Sequence, residues 1–144
     1  MDVRVLLVED DAPLRRSLEK YLARAGYAFD SCSTACDALK LAAHSHYDAV
    51  IAEYLLPDAN GASMLKMITL MMPETTPILI SEYDLPAIAN DLVKANVRSF
   101  LMKPFDPVDL ESALSPIPAA FPVDGSLCWS RNEADVQVDV QVEE

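Results

Sequence analysis

The sequence is poor in cysteine and histidine, which argues against a disulfide-stapled scaffold and against a metal site built from these residues. Its three cysteines, Cys32, Cys36 and Cys128, have neither the spacing of a metal site nor the density of a disulfide-stapled scaffold. Reduced thiols in a cytoplasmic protein are therefore expected. The only two histidines, His44 and His46, flank one serine in a predicted loop. They predict no metal site.

Long apolar runs and positive charge are also scarce. No run reaches the roughly 18 apolar residues that indicate a membrane-spanning helix. The N-terminal segment MDVRVLLVED has an acidic strand pattern, which is not that of a secretory signal. Lys and Arg number 11 against 23 Asp and Glu, giving a net charge of −12. Because nucleic acids and anionic membranes are bound through basic residues, neither is an expected partner. Protein partners remain.

Apolar and amphipathic stretches alternate along the chain, which is long enough for one domain with a substantial core. Predicted strands are Val3–Val8, Tyr27–Ser31, Ala49–Ala52, Ile78–Ile80 and Val97–Met102. Three of them are nearly continuous apolar runs, as in parallel strands that are covered on both faces. The intervening segments have helical spacing, with apolar residues that include Leu18, Leu39, Met64, Met67, Met71 and Leu92. The pattern predicts an α/β fold with a flavodoxin-like, doubly wound parallel sheet of five strands in the order 2-1-3-4-5.

The chain loses this regular pattern after the fifth strand. Asp106 can cap a last helix over Val108–Ser115, which is only about two turns long. A domain over residues 1–116 and an extension over 117–144 are therefore predicted. In the extension, valines alternate with polar residues over 135–142, which predicts a half-buried strand. Two interpretations remain open: a disordered acidic tail, or an arm that joins the sheet of a second subunit and forms a homodimer.

Polar residues follow four of the predicted strands. Glu9 and Asp10 follow the first strand and Glu53 the third, while Ser81 and Lys103 follow the fourth and fifth. Because the carboxyl ends of parallel strands meet at one edge of a sheet, we expect these side chains to lie close together. Clustered carboxylates need a cation or a proton, and Mg²⁺ prefers oxygen ligands. In the competing interpretation the acids only cap the first helix and the lysine is a solvated surface residue.

Three motifs together resemble the receiver domain of two-component response regulators. They are VLLVEDD at Val5–Asp11, AVIAEYLLPDANG at Ala49–Gly61 and SFLMKPF at Ser99–Phe105, and the resemblance extends from Val3 to about Ser115. It implies a phosphorylation pocket formed by the acidic pair Glu9 and Asp10, the phospho-acceptor position Glu53, the switch residue Ser81, the switch aromatic Phe100 and the pocket lysine Lys103.

The same resemblance implies ligands and partners. A weak Mg²⁺ site would be formed by Asp10, Glu53 and the backbone carbonyl of Leu55, and the Lys103–Pro104 bond is often cis in this family. The implied partner is a sensor histidine kinase or another signalling protein. The surface from the fourth helix to the fifth strand, including Phe100, is the implied contact face.

Two residues depart from the family pattern. Glu53 stands where the family has its phospho-accepting aspartate, and Glu82 stands where a small residue usually follows the switch residue. One additional methylene misplaces a group that must attack in line, and Glu82 would crowd and repel a phosphoryl group. The sequence therefore predicts an atypical stand-alone response regulator that acts by protein contact, is not phosphorylated at Glu53 and is not an enzyme. One alternative is a receiver phosphorylated on another pocket carboxylate, such as Asp10 or Asp11. The other is a small Mg²⁺-dependent phosphatase-like enzyme.

Overall fold

A computed structural model describes residues 3–97 and 99–115. The predicted extension 117–144, its strand over 135–142 and its role in dimerisation lie outside these residues. The elements in chain order are β1 (Arg4–Val8), α1 (Ala12–Arg24), β2 (Ala28–Cys32), α2 (Ala35–His44), β3 (Ala49–Glu53), α3 (Gly61–Met71), β4 (Thr76–Ser81), α4 (Leu85–Ala95), β5 (Ser99–Met102) and α5 (Pro107–Leu114).

The five strands form one parallel sheet in the order β2-β1-β3-β4-β5. The predicted fold class and strand order are therefore confirmed. The fifth strand begins two residues later than predicted, because Val97 belongs to the turn after α4, where its N–H donates to the Leu92 carbonyl at 3.0 Å. Asn96 has φ 59° in this turn, which is the left-handed geometry that ends many helices.

Alternating side chains of each strand enter two cores. Leu6 and Val8 of β1 pack beneath α2, α3 and α4, whereas Val5 and Leu7 pack beneath α1 and α5. This follows from the two-residue repeat of a strand. In the central strands β1, β3 and β4, where both faces are covered, buried charged side chains lie at the carboxyl ends, as Glu9 and Glu53 do.

The third helix differs from its predicted packing. Met64 is buried as expected, but Met67 and Met71 are about half exposed. They lie on the outer side of α3, so the apolar face is narrower than the sequence suggests. The short fifth helix is confirmed at eight residues. Within the two described ranges, no helix is long and apolar enough to cross a membrane.

Candidate functional site

The turn after β3 places Glu53 at the carboxyl end of the sheet. Glu53 is the last residue of β3, and the next residue, Tyr54, donates its N–H to the Ile80 carbonyl of β4 at 2.8 Å. The chain then reverses, so that the Gly61 N–H donates to the Tyr54 carbonyl at 2.6 Å. A Cβ at Gly61 would lie only 1.9 Å from the Glu53 carbonyl oxygen. Glycine is therefore required for this close approach of two backbone segments.

Two further contacts hold the turn to neighbouring helices. The carboxylate of Asp58 accepts hydrogen bonds from the N–H groups of Ala35 and Cys36, both at 2.9 Å, at the start of α2. These bonds hold the pKa of Asp58 below its ordinary value. Asn60 caps α3 by accepting from the Ala62 N–H at 2.8 Å. The segment that positions Glu53 is thus fixed at both ends.

Lys103 joins the two buried glutamates of the site. Its Nζ atom lies 3.1 Å from Oε1 of Glu9 and also forms an ion pair with Oε1 of Glu53. The second oxygen of each carboxylate accepts a backbone hydrogen bond at 3.0 Å, from Asp11 in the case of Glu9 and from Leu55 in the case of Glu53. Both oxygens of Glu53 are therefore occupied by donors from the protein itself.

Burial and charge determine the protonation of this triad. Burial raises the pKa of Glu9, and the Asp11 N–H and the Lys103 ammonium only partly oppose that effect. Burial would lower the pKa of Lys103, but its contacts with Glu53 and Glu9 outweigh burial and raise it. The Glu9 side chain is fully buried, and the Lys103 side chain is only 14% exposed. One internal ammonium thus neutralises one of two buried carboxylates, which leaves a net negative charge when both are ionised.

Ser81 and Phe100 lie in β4 and β5, the strands that lead to the Lys103 side of the site. The Ser81 hydroxyl is buried and accepts a hydrogen bond from the Tyr83 N–H at 2.8 Å. The Ser81 carbonyl accepts from the Lys103 N–H at 2.7 Å, and the Lys103–Pro104 bond is cis, as the resemblance implies. Phe100 is 8% exposed and packs in the core beneath α4. The structure thus brings Glu9, Glu53 and Lys103 into direct contact.

Asp10 is placed differently from the other predicted pocket residues. It is exposed, and its carboxylate makes no hydrogen bond or ion pair with the rest of the described chain. Residues 3–97 and 99–115 contain no group of three His, Cys, Asp or Glu side chains that could hold a metal ion. Glu53 contacts Lys103 and the Leu55 N–H, and the ligand set of Asp10, Glu53 and the Leu55 carbonyl stays a prediction.

Three residues of the site region were not identified from the sequence. The Tyr54 hydroxyl donates to Oδ2 of Asp91 on α4, and the Tyr54 ring contacts the Tyr83 ring edge to face at 6.0 Å. Tyr54 and Asp91 are 37 residues apart. Tyr54 lies within the motif AVIAEYLLPDANG, but Asp91 belongs to none of the three motifs. Their contact depends on the packing of α4 beside α3, so no local pattern could have predicted it.

A comparison with protein-family models matches residues 5–115 to the response regulator receiver domain. The response regulator protein FleR of Pseudomonas aeruginosa is 30% identical over 106 residues, which are 74% of this chain and 22% of FleR. The chemotaxis protein CheY of Thermotoga maritima is 29% identical over 118 residues, which are 81% of this chain and 98% of that protein. The chain thus corresponds to about a fifth of FleR.

Solved structures show the same fold. The signal receiver domain of an HD domain-containing protein from Pseudomonas fluorescens Pf-5 has a TM-score of 0.74 at 30% identity, over 80% of this chain and 93% of that one. A CheY-like receiver domain protein from Methanospirillum hungatei JF-1 has a TM-score of 0.77 at 23% identity, over 81% and 94% of the two chains. The second likeness concerns the fold alone.

Proposed function

Because the chain belongs to the response regulator receiver family of two-component signalling, we propose that it is an atypical member, which is not phosphorylated at Glu53 and acts by protein–protein contact. The contact between Glu53 and Lys103 is the observation that carries this proposal. An acceptor carboxylate needs an oxygen that can reach the donor phosphorus in line. In Glu53 one oxygen is paired with Lys103, the other accepts the Leu55 N–H, and both are displaced by the additional methylene.

Mg²⁺ would neutralise charge on a phosphoryl group when bound, but this pocket favours only weak binding. To act as a ligand, Glu53 would have to weaken its contact with Lys103 or with the Leu55 N–H. Glu82 adds an exposed negative charge directly after Ser81. Both features oppose the entry of a phosphoryl group, and the internal ammonium reduces the need for a metal. We therefore propose signalling without catalysis.

A sensor histidine kinase or another signalling protein is the proposed partner, and the cytoplasm is the proposed site of action. The α4–β5 surface remains the proposed contact face, but the buried Phe100 ring contributes little to it in this conformation. The exposed large apolar side chains of α4 and β5 are Val93 and Met102, of which Val93 is 78% exposed. We propose that a partner protein covers these apolar side chains.

Binding of beryllofluoride, a small analogue of a phosphoryl group on a carboxylate, tests the proposal. In ¹⁹F NMR with Mg²⁺ present, we expect no bound signal for the parent protein and a bound signal for Glu53→Asp. The shorter side chain draws the carboxylate back from Lys103 by one methylene. A bound signal of equal intensity for the parent protein would contradict the proposal.

We further propose that the extension forms a homodimer through its alternating valines. Replacing Val138 and Val140 with aspartate is expected to convert a dimer into a monomer in sedimentation velocity, because the apolar side of the arm would carry two charges. The matched control replaces Gln137 and Gln141 with aspartate, which adds the same charge to the other side of the predicted strand. A monomeric parent protein, or equal effects of the two double variants, would refute the proposal that the extension forms the dimer.

A further inference from the structure

Tyr54 connects the pocket to α4 and to the loop that precedes α4. Its hydroxyl donates a hydrogen bond to Asp91, which lies on α4, and its ring meets the ring of Tyr83 at an interplanar angle of 75°. Tyr83 in turn holds the Ser81 hydroxyl through its backbone N–H. We propose that Tyr54 is a positioning residue that transmits changes at Glu53 to the α4 surface.

The arrangement of Asp91 favours this role. Asp91 accepts from the Tyr54 hydroxyl and also, at 3.4 Å, from the side-chain amide of Asn60, the residue that caps α3. Both donors belong to the segment between Glu53 and α3. A displacement of that segment therefore moves both donors of a single carboxylate on α4. The hydrogen bond from a hydroxyl to a carboxylate is stronger than one between neutral groups.

The Tyr54 hydroxyl is also held in its donor state. The hydrogen bond to Asp91, aided by burial, raises the pKa of Tyr54 above its ordinary value. The hydroxyl therefore keeps its proton throughout the neutral range. The edge-to-face contact with the Tyr83 ring stabilises the orientation of the Tyr54 ring.

Contact between residues does not by itself establish energetic coupling. The relevant quantity is the effect of a pocket change on α4 with and without the Tyr54 hydroxyl. Glu53→Gln supplies the pocket change, because it removes the ion pair with Lys103 and keeps the size of the side chain. Tyr54→Phe removes only the hydroxyl and leaves the ring in place.

Amide hydrogen exchange over α4 (Leu85–Ala95) in the full chain is the measurement. Tyr54→Phe is expected to raise exchange in α4 by about fivefold to tenfold, as the loss of one hydrogen bond predicts. Glu53→Gln is expected to raise it in the parent background and to add nothing in the Tyr54→Phe background. Equal increments in the two backgrounds, or no response of α4 to Glu53→Gln, would overturn the proposal.

Two controls separate coupling from general loosening. Tyr27→Phe removes a tyrosine hydroxyl on the opposite side of the sheet and should leave the response to Glu53→Gln intact. Asp91→Asn keeps an oxygen for the Tyr54 hydroxyl and should preserve the response, whereas Asp91→Ala should abolish it. The inference rests on the proposed contact face at α4, but hydrogen exchange is measured on α4 directly and needs no bound partner. Its failure would therefore leave the proposal for Glu53 standing, and phosphorylation of Glu53 would not overturn it.

Discussion

Replacing Lys103 with methionine is expected to lower the free energy of unfolding by about 3–5 kcal/mol, because it leaves buried carboxylates without their counter-charge. Glu9 is fully buried, and Glu53 is 6% exposed. Solvent cannot replace the ammonium that contacts both of them. Urea unfolding at neutral pH measures the loss.

Two further variants identify the cause of that loss of stability. Lys66→Met removes a lysine from the exposed side of α3 and should change stability by less than about 0.5 kcal/mol. The triple variant Lys103→Met, Glu9→Gln, Glu53→Gln removes the charges together and should recover much of the stability. Loss of an exposed ion pair lowers the free energy of unfolding by less than about 1 kcal/mol. If Lys103→Met alone has an effect this small, the contacts of Lys103 with Glu9 and Glu53 do not stabilise the fold as described above.

Gly61→Ala is expected to be the second severe substitution, with a cost of about 3 kcal/mol or more. The new Cβ would lie 1.9 Å from the Glu53 carbonyl oxygen and 3.2 Å from Cα of Tyr54, and both contacts are with backbone. No side chain can rotate away to relieve them. The turn must open, which also displaces Glu53.

Gly26→Ala is the matched control for Gly61→Ala. Gly26 has φ +90°, and no atom beyond the adjacent residues lies within 4 Å of the position that a Cβ would take, so only backbone strain of about 1–2 kcal/mol is expected. Urea unfolding of both variants, followed by far-UV circular dichroism, gives the comparison. Equal losses would mean that the close approach at Gly61 is relieved by movement of the turn, and that the turn is not rigid.

The fold was largely predictable, because its signals are local. Continuous apolar runs mark strands that are buried on both faces, and the helical repeat of α1 and α4 is clear around Leu18 and Leu92. The limits of the prediction lie at surfaces. Met67 and Met71 fit the apolar repeat of α3 but lie on its exposed side, since the repeat does not define how wide a buried face is.

The site was only partly predictable. The rule that parallel strands end at one edge placed Glu9, Glu53 and Lys103 together. It could not distinguish Asp10 from Glu9, because adjacent residues at a strand end point in different directions: Glu9 is buried and Asp10 is exposed. The Tyr54–Asp91 contact joins residues that are distant in sequence, so it emerges only from the packed structure.

Glu53, paired with Lys103, is proposed to prevent phosphorylation of the pocket, and Glu82 is proposed to slow the phosphorylation that a shorter acceptor would allow. Intact-mass spectrometry after incubation with Mg²⁺ and acetyl phosphate tests this central claim most directly, with the parent protein, Glu53→Asp, Glu82→Ala and the double variant side by side. We expect no adduct on the parent protein or on Glu82→Ala, one phosphoryl group on Glu53→Asp, and faster modification of the double variant. Any adduct on the parent protein would be located by peptide mapping. A phosphoryl group on Glu53 would contradict the claim. An adduct on Asp10 or Asp11 would instead identify a receiver that uses a different acceptor.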